Sequence, residues 1–67
     1  MQYSLRVVTQ NDFSTHKINA EDHDIAEAKA KKIIKLIGGC VFARLVEGDD
    51  PINALQHIAQ WKGGRRD

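Results

Sequence analysis

A chain of 67 residues with one cysteine, Cys40, has to hold its fold by core packing alone. No intramolecular disulfide is possible, and His16, His23 and His57 beside that cysteine make no metal-ligand spacing. A core of this size supplies a net stability of about 3–5 kcal/mol. The apolar residues, 42% of the chain, must therefore be placed economically in one domain spanning residues 1–67, with a partner as the natural source of further support. A net charge of +1 at this apolar content excludes a disordered chain.

Hydrophobic periodicity then divides the chain into elements. Residues 2–9 alternate Tyr3, Leu5 and Val7 against Ser4, Arg6 and Val8, the period-2 signature of a half-buried strand. Asn11-Asp12 supplies turn residues, and residues 13–19 read as the second strand of a hairpin. Its Ser14, His16 and Ile18 share one face, and Phe13, Thr15 and Lys17 the other. Asp22 or Asp24 caps a helix over residues 23–37, where Ala26, Ala30, Ile33 and Ile37 make one stripe and Gly38-Gly39 the stop. Residues 40–46 form a third strand, with Val41, Ala43 and Leu45 inward. Asp50-Pro51 then resembles a helix start, and a second helix is expected to run to Lys62 with Ile52, Leu55, Ile58, Ala59 and Trp61 on its apolar side. Residues 63–67 are expected to be a mobile basic tail.

The expected fold is α+β, in the order ββαβα. A three-stranded antiparallel sheet with strand order 2-1-3 packs one face on the first helix. Its other face would carry Arg6, Val8, Thr15, Lys17, Phe42 and Arg44, covered by the second helix or by a partner.

Several function classes drop out at this level. No apolar run approaches the ~20 residues of a membrane span, no signal-peptide pattern opens the chain, and a lone thiol suits a reducing compartment, so the expected location is cytoplasmic. The histidines lie in no arrangement that suggests a catalytic triad, and Cys40 reads as a small buried hydrophobe. The glycine pairs are helix stops and form no phosphate-binding loop. The chain is expected to be no enzyme and to carry no cofactor or metal. Charge is unevenly distributed: residues 1–28 hold two basic and five acidic side chains, residues 29–67 eight and four.

The segment Ile18-Asn19-Ala20-Glu21-Asp22-His23-Asp24-Ile25-Ala26-Glu27-Ala28, with a hairpin before it and Gly39-Cys40-Val41-Phe42-Ala43-Arg44-Leu45-Val46 after it, resembles the core of small phage-encoded proteins that disable host machinery. Two groups share this order of elements: short anti-CRISPR proteins that block the type I surveillance complex, and short phage inhibitors of host RNA polymerase. The resemblance implies a non-enzymatic inhibitor, monomeric or homodimeric, that occludes a site on a large host protein or ribonucleoprotein complex in the host cytoplasm. The segment from Pro51 to Lys62 and the Arg65-Arg66 tail depart from that pattern.

Partner contacts are expected from the residues themselves. Lys31, Lys32 and Lys35 lie on the outer face of the first helix, Arg6, Arg44 and Phe42 on the sheet, and Arg65 and Arg66 in the tail. The same residues serve an alternative reading, a nucleic-acid-binding module that uses the helix face or the sheet face. A third reading is a homodimer joined through Val8, Phe42 and Val46.

Overall fold

The computed structural model describes residues 1–66. The element order is β1 (Gln2–Thr9), β2 (Phe13–Asn19), α1 (His23–Ile37), β3 (Cys40–Glu47), β4 (Ala59–Lys62) and β5 (Arg65–Arg66). All five strands belong to one antiparallel sheet in the order β2-β1-β3-β4-β5. The expected 2-1-3 arrangement is present, and β4 and β5 extend it.

The helix is bounded as its sequence dictates. Asp22, in extended conformation, is the N-cap, its carboxylate accepting from the backbone N–H of Ile25 at 2.9 Å. At the other end Gly38, with φ 69°, donates its N–H to the carbonyl of Ile34. Only glycine adopts such a conformation without steric cost, so the helix stops there. Ala26, Ala30 and Ile34 are buried against the sheet and Ile33 packs at the margin, whereas Ile37, expected in the stripe, is 38% exposed. The helix-covered sheet face consists of Ile18, Tyr3, Leu5, Val7, Ala43, Leu45, Ala59 and Trp61.

One inward residue differs from expectation. The β1–β3 register advances from Val8 opposite Phe42 to Thr9 opposite Cys40, so Val41 is an extra residue, a bulge. Val41 turns outward, 48% exposed, and Cys40 takes the core position instead.

The largest correction concerns residues 51–66, where no second helix forms. Asp50 does nucleate a turn, accepting from the backbone N–H groups of Ile52 and Asn53 and from the Asn53 side-chain amide. These bonds hold its carboxyl below the ordinary carboxylate range, the side-chain bond from Asn53 contributing most. The turn does not propagate, because Ile52 and Leu55 find nothing to pack on and remain 64% and 97% exposed. Ala59 and Trp61, two residues apart, are buried as strand neighbours of Leu45 and Ala43. Pairing with the exposed edge of β3 satisfies backbone groups and buries an indole together, which an amphipathic helix lacking a surface to cover does not match. The expected tail contains β5, which pairs with β4 through a turn at Gly63-Gly64; Asp67 lies outside the described residues.

Residues 48–58 form an irregular loop over one end of the sheet's second face. Ser4 and Val46, paired on that face, are fully buried, and the Ser4 hydroxyl donates to the Gly48 carbonyl at 2.6 Å. Pro51 is buried as well. Val46 is therefore closed off as part of an outward apolar patch with Val8 and Phe42.

Candidate functional site

The register fixes which side chains share the face opposite the helix. Phe13, Val8, Phe42, Lys62 and Arg65 are successive partners across β2, β1, β3, β4 and β5, and so form one row across the sheet. A second row, two residues along each strand, runs Thr15, Arg6, Arg44 and Gln60. Lys17 lies beyond it, opposite Ser4, toward the 48–58 loop.

The strands contribute charge of one sign to this face. Glu47 is the one acidic residue in any of the five strands, and its pairing with Tyr3 places it on the helix-covered side. Every charged strand residue on the open face is consequently basic: Lys17, Arg6, Arg44, Lys62 and Arg65. Arg6 and Arg44 are direct cross-strand partners, an arrangement of like charges that weakens a sheet.

Local contacts moderate this repulsion without neutralising it. The Arg6 guanidinium lies 4.6 Å from the centroid of the Phe13 ring, a cation–π geometry. Arg44 donates to the carbonyls of Pro51 at 3.3 Å and Ala54 at 2.7 Å, which anchors the loop to the sheet. Neither guanidinium has a carboxylate partner among the described residues.

The expected contact residues thus separate into three groups. Arg6, Arg44, Phe42 and Arg65 come together on the open face. Lys31, Lys32 and Lys35 project from the solvent side of α1, with the helix and the sheet between them and that face. Arg66 belongs to neither group: its Nε donates to Glu27 of the helix at 2.5 Å, and its guanidinium lies 6.0 Å from the ring centroid of buried Trp61. Phe13 and Lys62 are additional members of the open face. Alternation in β2 placed Phe13 with Thr15 and Lys17, which was the available signal; Lys62 was concealed by the expected helix.

Other parts of the molecule carry less. A pocket of about 620 Å³ lies between the start of α1 and the loop, lined by His23, Glu47, Leu55, His57 and Ile58 among others. His23 Nε2 is 3.8 Å from Glu47, both half-exposed, and its ring meets Tyr3 edge-on at 5.7 Å. Among the described residues no group of three or more His, Cys, Asp or Glu side chains could hold a metal ion. His16 hydrogen-bonds Ser14 at 2.9 Å on the helix-covered side of β2. No helix among the described residues is long and apolar enough to cross a membrane.

No family model, no curated protein and no solved structure matches this chain.

Proposed function

We propose that the protein is a non-enzymatic binding module whose open sheet face takes nucleic acid. The observation that carries this reading is the cross-strand pair Arg6–Arg44, set in a face whose charged strand residues are all basic. Two basic residues at directly opposite backbone positions weaken the sheet, and an anion bound over this stretch of the face offsets that repulsion and gains binding energy from it. Phosphates spaced along a chain meet such a face at several points, with affinity that falls steeply as salt rises.

Neutralisation of each basic surface in turn distinguishes the face from the helix. Binding of labelled DNA and RNA is measured against salt concentration for the unaltered protein, for Arg6→Gln with Lys17→Gln, and for Lys31→Gln with Lys32→Gln and Lys35→Gln. The double variant on the sheet should weaken binding and flatten the salt slope by about two contacts, while the helix triple variant retains both. The reverse ranking, or no binding at low salt, overturns the reading.

Occlusion of a host polymerase or CRISPR complex, implied by the resemblance to phage-encoded inhibitors, is the second reading. An acidic protein surface or a ribonucleoprotein would satisfy the same Arg6–Arg44 pair. Capture of such a complex by the protein, lost in Arg6→Gln with Lys17→Gln, would favour it.

A further inference from the structure

Resting on the nucleic-acid reading of the open face, we infer that its ligand is a single strand whose bases stack on Phe13 and Phe42. A face selected only for phosphate has no use for aromatic rings, yet the row that ends in Lys62 and Arg65 begins with Phe13, Val8 and Phe42. Phe13 is 62% exposed on the edge strand β2, and Phe42 is partly exposed on β3. Phenylalanine offers no hydrogen bond; its ring presents only an apolar π-surface. A duplex keeps its base faces inside the stack and shows phosphates and base edges, so it would set hydrated phosphate against these rings. A single strand presents base faces, for which such rings are sequence-tolerant platforms.

The spacing supports the same conclusion. β2 and β3 flank β1, so the two rings spring from backbones separated by two inter-strand steps, about 10 Å. That is about three rises of a stacked strand at 3.4 Å each, so nearby bases of one strand reach both rings only when it is extended and unstacked. The chain would then cross the sheet from β2 toward β5, with its phosphates between the Arg6–Arg44 row and Lys62–Arg65. The Arg6 guanidinium covers one face of the Phe13 ring, so a base at this position stacks on the ring's other face or on the guanidinium plane itself.

Three probes separate failure of this inference from failure of the wider reading: a fluorescein-labelled ten-nucleotide oligo(dT), the same strand annealed to oligo(dA), and heparin as a polyanion without bases. Oligo(dT) should bind at least tenfold more tightly than the duplex at matched salt. Phe13→Leu, at an exposed site that the core does not use, and Phe42→Leu should each weaken oligo(dT) binding by about tenfold, the size of one base–aromatic stack, and leave heparin binding unchanged. Equal affinity for strand and duplex, or undiminished oligo(dT) binding by both leucine variants, overturns the single-strand inference while the basic-face reading stands. Absence of binding to all three probes overturns both. Circular dichroism of each variant establishes that it remains folded.

Discussion

The hydroxyl of Ser4, fully buried in β1, donates to the carbonyl of Gly48, 44 residues later, at 2.6 Å. Gly48 returns its N–H to the carbonyl of Gln2 at 2.9 Å, so the loop leaving β3 is fastened to β1 through both backbone polar groups of one residue. With φ 96°, Gly48 adopts a backbone conformation that other residues enter only with strain.

Ser4→Ala should therefore cost about 1 kcal/mol, because the partly buried Gly48 carbonyl loses its donor. The loss is read by chemical denaturation, together with faster amide exchange in residues 48–58. Exchange in the loop at the unaltered rate would show that the Arg44 contacts suffice to hold it.

Arg6→Glu should raise stability while abolishing nucleic-acid binding. The substitution places a carboxylate opposite Arg44, and the change from a repulsive to an attractive cross-strand pair is worth about 0.5–1 kcal/mol after loss of the Phe13 contact. In a domain of this size that corresponds to a rise in melting temperature of about 2–8 °C. A variant both less stable and still able to bind would contradict the assignment of this face.

Trp61→Ala should unfold most of the protein at room temperature. Truncation of a buried indole costs about 3–5 kcal/mol, comparable to the whole net stability of a domain this small. Glu27→Gln, which removes the partly exposed Arg66 pair, should by contrast cost less than about 1 kcal/mol. Thermal melts of the two variants measure the difference, and similar melting temperatures would argue against a buried β4.

Cys40 should react slowly with thiol reagents in the folded protein. Burial pushes its thiol above the ordinary value of 9.0, with the backbone N–H groups of Gly64 and Phe42 pulling weakly the other way. The folded state holds the neutral form, so this contribution to stability is complete below the ordinary value and is lost as pH rises through the raised one. Labelling followed by mass at pH 8, with and without denaturant, checks the first point; melting temperature against pH from 7 to 10 checks the sign of the second.

The alternation of Tyr3, Leu5 and Val7, the Asp22 cap and the Gly38 stop are local signals, and sequence by itself determined β1, β2, α1, most of β3 and the 2-1-3 order. It also placed Arg6, Lys17, Arg44 and Phe42 on one face, since strand periodicity assigns faces without knowledge of what covers them. Tertiary structure decided the rest. Asp50-Pro51 is a sound helix-start signal, and it lost because Ala59 and Trp61 gain more by completing the edge of β3 than residues 51–62 gain as a helix with no surface to cover. The bulge that exchanges Val41 for Cys40 arises only once β3 is registered against β1. The alignment of Lys62 and Arg65 with Phe42, which extends a short basic patch into a row across five strands, depends on the same non-local pairing. Periodicity is written along the chain; pairing energy exists only between strands already brought together.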